Sequence, residues 1–370
     1  MPKHFRQKVV LKNTLNKPDW LIIGLTLGLT IFGIVMVGNA SVLKAYQDFG
    51  DKFHYLRLQI YWSLLGIGAF FFTSFLNYNF WKKIAVPAII FSLITLVLVL
   101  IPGLGTSALG ARRWLGLGFL SFQPAELAKL SFIFYLSSFF SKKKNIWPFL
   151  AVLGLLAGLI MFQPDLGTTV VLAATGLAIY FVSGAPILAI GSIALFGILS
   201  GVGLILTSPY RKERLLTFFD PSRDPLGASY HIRQVLIAIG PGGLLGVGLG
   251  QSRQKYEYLP EVTTDSIFAI IAEEIGFVGG MIILALFLLL IWRGFRIAKE
   301  APDDFGKLLA VGITSWIGFQ ALINLCSMVA LVPLTGIPLP FISYGGSSLV
   351  LSLAAMGILV NISKQRIFKK

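Results

Sequence analysis

Residues 254–277, QKYEYLPEVTTDSIFAIIAEEIGF, carry the chain from a polar segment into a long apolar helix. The sequence predicts that this helix starts at Asp265, with Thr263 or Thr264 as a cap. Five acids lie beside the helix start or within the apolar run: Glu257, Glu261, Asp265, Glu273 and Glu274. Because acids are costly in hydrocarbon, an acid inside a membrane is a candidate functional residue.

The composition is that of a membrane protein. The chain has 370 residues, of which 56% are hydrophobic and 13% charged, and its mean hydropathy is +0.81. A soluble protein carries roughly 25% charged residues. The sequence therefore predicts an all-α polytopic membrane protein, a single integral-membrane domain over residues 1–370. Ten spans long enough to cross a bilayer are predicted near residues 19–40, 58–77, 83–101, 124–141, 146–163, 165–183, 187–207, 265–292, 308–331 and 343–363.

Lysine and arginine predict the orientation, because they are enriched in short cytoplasmic loops. Basic residues fill the tail at 1–18 and recur on the same predicted side at 82–83, 142–144, 293–299 and 364–370. This distribution puts both termini in the cytoplasm and requires an even number of spans. The first apolar segment is too long for a cleaved signal peptide and is predicted to be an uncleaved span.

The connection at residues 208–264 breaks this pattern. It is predicted to be a large extracytoplasmic loop between spans seven and eight. Long loops escape the charge rule, so its basic residues either carry no topological meaning or face an anionic ligand at the outer surface. The apolar, glycine-rich run at 232–249 is predicted to form a short or re-entrant helix. The basic residues are Arg211, Lys212, Arg214, Arg223, Arg233, Arg253 and Lys255.

Residues 103–122, GLGTSALGARRWLGLGFLSF, form a second external feature, with turns at its glycines. Arg112, Arg113 and Trp114 suit a membrane interface. The two arginines equally suit phosphate, whose oxygens a guanidinium group matches with two parallel hydrogen bonds.

Span four begins with an acid and a base on one helical face. Glu126 and Lys129 are three residues apart and are predicted to form a buried ion pair. Glu273 or Glu274 could share Lys129.

Two other external junctions carry helix-start signals. Asp165, with Pro164 placed at a first helical turn, is predicted to cap span six. The loop at 332–348 is too rich in proline and glycine to be helical throughout. Its GGSS end at 345–348 either directs backbone N–H groups at an anion or is a capped loop.

The sequence also excludes several function classes. The net charge of +15 comes from basic residues spread among loops rather than gathered in one patch, so nucleic-acid binding is not expected. No nucleotide-binding, zinc-protease or serine-hydrolase motif appears in the chain. Chemistry must therefore use carboxylates and an already activated substrate.

Several stretches together resemble one family. They are GIVMVGNAS in span one, GARRWLGLG with FQPAELAKL, QPDLGTT, PLTGIPLPFISYGGSS, and the run from YRKERLLTFFDPSRDPLGASYHIRQ to AEEIGF. The chain resembles the FtsW/RodA family of SEDS proteins, membrane glycosyltransferases that polymerise peptidoglycan from lipid II. QKYEYLP makes it more similar to FtsW than to RodA. Family members often have histidine where this chain has Thr263, which argues against an imidazole partner for Asp265.

The resemblance implies that Asp265 is the general base. A sugar hydroxyl would attack the anomeric carbon of a lipid-pyrophosphate sugar and invert the α linkage to β-1,4. Such a reaction needs one base and cations for the developing negative charge. An acid at a helix N-terminus stays ionised, and burial would be needed to raise its pKa.

The resemblance also implies further site residues. Substrate binding is assigned to Arg112, Arg113, Arg211, Lys255, Glu257 and Glu261, and a supporting polar core to Glu126, Lys129, Asp165 and Glu273. The one candidate cofactor is a divalent cation (Mg²⁺ or Mn²⁺), for which Asp265 with Glu257, or Glu257 with Glu261, are the candidate ligands.

The implied setting is the bacterial plasma membrane, with the active site on its extracytoplasmic side. The implied partners are lipid II and the lipid-linked glycan, a class B penicillin-binding protein that supplies transpeptidation, and other membrane proteins of the division or elongation complex. Two alternatives remain at this point. A lipid II flippase would use a charged path that includes Glu126, Lys129, Glu273 and Glu274, and a non-catalytic division scaffold would tolerate substitutions in the acid-rich loop.

Overall fold

A computed structural model describes residues 16–108, 111–117, 120–143, 145–220, 224, 227, 229–255 and 259–366. The first half of this part of the chain contains helices α1 (Trp20–Ala40), α2 (Val42–Phe49), α3 (His54–Phe75), α4 (Asn79–Leu98), α5 (Pro124–Phe140), α6 (Trp147–Met161) and α7 (Leu166–Val182). The second half contains α8 (Ile187–Leu206), α9 (Pro209–Phe219), α10 (Tyr230–Ile239), α11 (Ile267–Lys299), α12 (Asp304–Met328) and α13 (Gly346–Lys364).

Ten of these helices, all except α2, α9 and α10, coincide with the ten predicted spans. Seven are long and apolar enough to cross a membrane by themselves, and α6 and α7 are shorter apolar helices. The predicted multi-pass helical architecture is confirmed. Helix ends differ from the predicted ends where charged residues extend a helix. For example, α11 continues past the apolar run to Lys299, because long basic side chains at a helix end can reach the interface.

The all-α fold class is confirmed, and one small sheet lies among the helices. Strands β1 (Gly105–Ala108), β2 (Ala111–Leu117) and β3 (Leu120–Phe122) form an antiparallel sheet in that order, within the glycine-rich segment that was expected to form turns. Leu115 pairs with both Gly105 and Phe122. The short strands of this sheet carry no clear alternation of apolar and polar residues, so the hydropathy pattern did not predict them.

Burial separates central from peripheral helices. In the most apolar stretches of α13 and α12, 89% and 78% of residues are buried, whereas none is buried in that of α8. Helices α12 and α13 therefore form the centre of the bundle, and the loop at 332–345 connects them across the predicted outer end.

Both ends of the described chain meet at the opposite end of the bundle. Arg293 and Arg366 donate to the carboxylate of Asp19 at 2.7 and 2.8 Å, and Arg366 also donates to Glu300 at 3.0 Å. We call these four residues the terminal ion network. The start of α1 and the end of α13 thus lie on the same side, as an even number of crossings requires.

Helix α11 is broken near its N-terminal end. Gly276 has φ 71°, outside the helical range, and the loop at 243–248 enters the break. Val247 and Gly248 donate their N–H groups to the carbonyls of Glu273 and Glu274, both at 3.0 Å. On the other side of the break, Phe277 and Val278 donate to the loop carbonyls of residues 243 and 244 at 2.9 and 3.1 Å. The loop thereby replaces the hydrogen bonds that the helix loses.

The predicted helix at 232–249 is therefore only partly correct. Helix α10 ends at Ile239, and a short 3₁₀ turn at Gly240–Gly242 follows. Gly243, Gly246 and Gly248 then adopt positive φ angles, which stop any helix and let the backbone approach α11 closely.

Candidate active site

Asp265 lies just outside the membrane helix. Helix α11 begins at Ile267 with Ser266 as its N-cap residue, and Ser266 makes no side-chain capping bond. The predicted start at Asp265 and the predicted threonine cap are wrong, since the Thr264 hydroxyl bonds to Glu261 instead. Asp265 is nevertheless buried, with 6% of its surface exposed.

A tight turn brings two carboxylates together. Glu261 has φ 48°, and its carbonyl accepts from the N–H groups of Thr264 and Ser266 at 3.1 and 3.2 Å. The Thr264 hydroxyl lies 2.7 Å from Glu261 Oε2 and 3.3 Å from Asp265 Oδ1. The turn therefore links the substrate-binding candidate Glu261 to the catalytic candidate through one hydroxyl.

Burial raises the pKa of Asp265 from 3.8 to about 7, and the Glu261 carboxylate acts in the same direction. A backbone hydrogen bond, the positive charge of Arg214 and the Thr264 hydroxyl oppose this rise in the pKa. The burial that the sequence argument required for a raised pKa of Asp265 is therefore present. A carboxyl with a pKa near the operating pH is a stronger base than an ordinary aspartate.

Sequence analysis did not select two members of this cluster. His231 of α10 lies with Nε2 2.7 Å from the hydroxyl of Ser266. Burial and the nearby Arg214 lower the pKa of His231 to about 4, so its ring is neutral at physiological pH. Arg214 of α9 donates from Nη1 to the carbonyl of Leu334 at 3.0 Å. An imidazole is thus beside the residue that follows Asp265, although it bonds to Ser266 and not to the carboxylate.

The two arginines of β2 have different surroundings. Arg113 donates to the carbonyls of Gln163 and Pro164, both at 2.8 Å, and so ties the sheet to the start of α7. Arg112 is exposed, as expected for the neighbouring residue on a strand. Phosphate contact by either residue stays a prediction, and Arg112 has the more accessible side chain.

Arg211 lies on α9 three residues before Arg214, so both side chains point to the same side of that helix. Arg211 donates to the carbonyl of Leu204 at 3.1 Å. This position is compatible with the predicted substrate contact, which stays a prediction.

Lys255 is bonded to groups within the protein. Its ammonium group is buried and donates to Asn39 Oδ1 at 2.8 Å, to the carbonyl of Gly250 at 2.6 Å and to Glu274 Oε1 at 3.1 Å. The predicted substrate contact of Lys255 is not supported by this position. Glu257, the other residue predicted from the same motif, lies outside the described residues.

The acids inside α11 support the outer loop. Glu273 accepts from the hydroxyl of Ser252 and from the N–H of Arg253, the latter at 2.9 Å. Glu274 accepts from Lys255 and from the amide of Asn39. The suggestion that either acid shares Lys129 is therefore wrong, although Glu273 is part of a buried polar network as predicted.

The predicted ion pair of span four forms in the core. Lys129 Nζ lies 2.8 Å from Glu126 Oε1, and both side chains are 2% exposed. Lys129 also donates to Gln320 Oε1 at 2.7 Å. The hydrogen bonds of the described residues put this pair and the α11 acids in separate networks, so the four residues suggested for a lipid path do not form one chain.

Asp165 caps α7 as predicted. Its carboxylate accepts from the N–H and the hydroxyl of Thr168 at 2.9 and 2.8 Å. Pro164 precedes the helix and does not occupy its first turn, because α7 starts at Leu166. A side chain at Gly167 would lie 2.7 Å from Ile337, so the start of α7 packs directly on the loop at 332–345.

A divalent cation stays a prediction. In the part of the chain that the structure describes, no three His, Cys, Asp or Glu side chains come together as a metal site. Of the predicted ligands, Asp265 and Glu261 are described and Glu257 is not. Asp265 and Glu261 provide two neighbouring carboxylates, which is enough for Mg²⁺ when phosphate and water supply its other ligands.

Comparison with known proteins identifies the family. A family model described as "Cell cycle protein" and covering FtsW, RodA and SpoVE matches residues 19–367. The chain belongs to the FtsW/RodA/SpoVE family.

The family relatives match over nearly their whole length. Stage V sporulation protein E of Bacillus subtilis (strain 168) is 46% identical, over 94% of this chain and 97% of that protein. The probable peptidoglycan glycosyltransferase FtsW of Geobacter sp. (strain M18) is 38% identical, over 93% and 96%. The second name fits the FtsW-like character of the sequence, and the first is that of a sporulation protein, a role that the sequence did not suggest.

Two solved structures have the same fold. A chain from a peptidoglycan synthase complex that coordinates polymerization and crosslinking has TM-score 0.77 and 31% identity, over 94% of this chain and 97% of that one. The rod-shape-determining protein RodA of Thermus thermophilus has TM-score 0.70 and 29% identity, over 95% and 98%.

Proposed function

We propose that this FtsW/RodA/SpoVE family protein is a peptidoglycan glycosyltransferase that polymerises glycan strands from lipid II, with Asp265 as the general base. The observation that carries the proposal is the buried carboxyl of Asp265, with its pKa raised to about 7, immediately before α11. An acid of this kind is suited to take a proton from a sugar hydroxyl at neutral pH.

The reaction forms one bond and breaks one. The acceptor hydroxyl oxygen attacks the anomeric carbon of the donor sugar while the bond from that carbon to the pyrophosphate oxygen breaks, which inverts α to β-1,4. The hydroxyl proton passes to Asp265, and the electron pair of the broken bond leaves with the pyrophosphate. Arg214, together with Arg211 and Arg112, supplies positive charge on this side of the protein for the leaving group.

A cation would assist the same step. Mg²⁺ or Mn²⁺ bound by Glu261 and the pyrophosphate oxygens would neutralise charge on the leaving group. In this arrangement Glu261 would hold the cation, and Asp265, joined to it through the Thr264 hydroxyl, would be the base.

The setting is proposed from the relatives. The name of the Geobacter protein supports glycosyl transfer, and the synthase complex that contains a similar chain supports a crosslinking partner. We assign this partner to the class B penicillin-binding proteins, with the protein in the bacterial plasma membrane, the site facing outward and the role in division or elongation.

The test uses the full chain, alone and with its penicillin-binding partner, supplied with fluorescent lipid II and Mg²⁺. Wild-type protein should make glycan ladders, and Asp265→Asn should reduce their rate about 100-fold or more at unchanged folding. Glu213→Gln, which removes an exposed acid of the same outer segment, should leave the ladders intact. Ladders that persist in Asp265→Asn would exclude it as the base, and lipid movement across liposomes without ladders would favour a flippase.

A further inference from the structure

We infer that Gln320 and Asn324 are positioning residues for glycosyl transfer. These two amides of α12 hold the loop at 332–345 and Asp265 in one fixed arrangement, and the buried pair of Glu126 and Lys129 acts through Gln320. The inference rests on the proposed function, which it deepens by assigning a role to residues remote from the reacting atoms.

Asn324 ties the base to the loop. Its side chain is fully buried, and Nδ2 donates to the carbonyl of Asp265 at 2.9 Å and to that of Ile337 at 2.8 Å. Both hydrogens of one amide nitrogen are therefore used, one on each segment. Because neither segment is helical at these carbonyls, this side chain fixes the separation between them.

Gln320, one helical turn before Asn324, also bonds to the loop and joins it to Lys129. Its Oε1 accepts from Lys129 Nζ at 2.7 Å and from Trp316 Nε1 at 2.9 Å. With two donors on the oxygen, Nε2 must face the other way, and it donates to the carbonyl of Pro338 at 3.0 Å. The ammonium group of Lys129 thus determines which way the amide points, and Glu126 fixes the ammonium group.

The loop in turn positions both charges of the candidate site. Its Leu334 carbonyl accepts from Arg214, and the N–H of Tyr344 donates to the carbonyl of Thr263 at 2.8 Å, two residues before Asp265. A shift of the loop would therefore move the base and the arginine relative to each other. A displacement of about 1 Å at reacting groups can cost roughly 100-fold in rate.

This arrangement gives the core ion pair a function without substrate contact. Glu126 and Lys129 are too deeply buried to meet a sugar, yet their hydrogen bonds continue through Gln320 into the loop beside Asp265. Loss of Lys129 should then affect the same step as loss of Gln320, and the two effects should not add, because both remove one network.

The kinetic test compares Gln320→Met and Asn324→Leu, which keep side-chain volume and remove the donors, with Asn361→Leu. Asn361 is a matched control, since it is a buried asparagine that also bonds two backbone groups, at Tyr78 and Ser74, at the opposite end of the bundle. With fluorescent lipid II, kcat per folded molecule should fall about 10- to 100-fold in the first two variants at unchanged KM. It should stay at the wild-type value in Asn361→Leu.

Hydrogen–deuterium exchange of the same proteins supplies a readout that needs no activity. Exchange in the segments 261–266 and 334–344 should become faster in Gln320→Met, Asn324→Leu and Lys129→Met, but not in Asn361→Leu. Unchanged exchange there, or an equal loss of kcat in the control, would overturn the inference. Wild-type protein that makes no glycan would refute the proposed function instead, while the exchange result still decides whether the amides hold the loop.

Discussion

At the scale of single residues, the strength of Asp265 as a base depends on burial and two neighbouring charges. Burial and the Glu261 carboxylate disfavour its ionised form, and Arg214 favours that form. The pKa of about 7 is the balance of these effects. The proposed rate therefore depends on charges that do not touch the substrate.

The pH dependence of glycan synthesis tests this balance. Since only ionised Asp265 accepts a proton, kcat/KM should rise with pH and level off above about 7. Glu261→Gln removes a negative neighbour, so it should lower the pKa of Asp265 and move the rise to lower pH. Glu213→Gln should leave the profile in place. A profile that stays fixed or moves to higher pH in Glu261→Gln would contradict the assigned cause.

The same pKa predicts how stability changes with pH. The folded-state pKa of Asp265 lies above its ordinary value of 3.8, so the folded protein binds this proton more tightly than the unfolded chain. Its contribution to stability is complete below pH 3.8 and is lost as the pH rises through about 7. Above pH 7 the free energy of unfolding of Asp265→Asn should therefore exceed that of wild type by up to about 4 kcal/mol, and its melting temperature should be higher. This difference should shrink toward pH 4. A thermal-unfolding difference that does not vary with pH would argue against it.

At the scale of elements, the break in α11 separates a short outer helix from the longer membrane helix. The part that follows Asp265 is fixed to the loop at 243–248 through backbone hydrogen bonds, and the side chains of Glu273 and Glu274 fix it to residues 252–255. The loop and the outer helix therefore form one structural unit beside the candidate base.

Glycine is required where these two backbones meet. A Cβ at Gly246 would lie 2.2 Å from the carbonyl oxygen of Glu274, and φ there is +82°. Gly246→Ala should thus lower the free energy of unfolding by about 2 kcal/mol or more. Gly28→Ala in α1, where no atom lies within 4 Å of the added Cβ, should be neutral or stabilising by up to about 1 kcal/mol. Thermal unfolding in detergent measures both, and equal melting temperatures for the two variants would contradict the close approach.

Hydropathy could predict the helices but not these irregular parts. A long apolar run gives a membrane helix almost regardless of its neighbours, because every backbone group must be bonded within the segment. The break at Gly276 depends on hydrogen bonds from a loop distant in sequence, and glycine is common in unbroken membrane helices. The β-sheet depends on pairing between short strands, which composition alone does not reveal.

At the scale of the whole molecule, the candidate site was only partly visible in the sequence. Hydropathy singled out Asp265 only as one of five acids, and the resemblance to the FtsW/RodA family selected it as the base. Arg214, His231 and Asn324 come from three other helices, so only the tertiary fold brings them together. Lys255 was predicted to contact the substrate because the sequence gives the charge of a side chain and not the direction in which it points. In the fold its ammonium group pairs with Glu274.

The terminal ion network should matter for stability and not for catalysis. Arg366→Met would leave the Asp19 carboxylate, which is 1% exposed, with only one of its two arginine partners. The free energy of unfolding should therefore fall by about 3 kcal/mol. Arg57→Met, which breaks an ion pair with Asp51 in which the arginine is 59% exposed, should cost about 1 kcal/mol or less. Melting temperatures and kcat per folded molecule measure the two effects. Equal melting temperatures, or a lower kcat in Arg366→Met, would contradict this assignment.

The terminal ion network also sets an order of assembly. Asp19 enters the membrane with α1, whereas its partners Arg293 and Arg366 are synthesised only with the ends of α11 and α13. Until α11 is inserted, this acid has neither arginine available, and it gains its second arginine only when α13 docks. A nascent chain that stops before Arg366 therefore has only one arginine to neutralise Asp19. The contact between the first and last membrane helices, α1 and α13, is then the last part of the membrane fold to form.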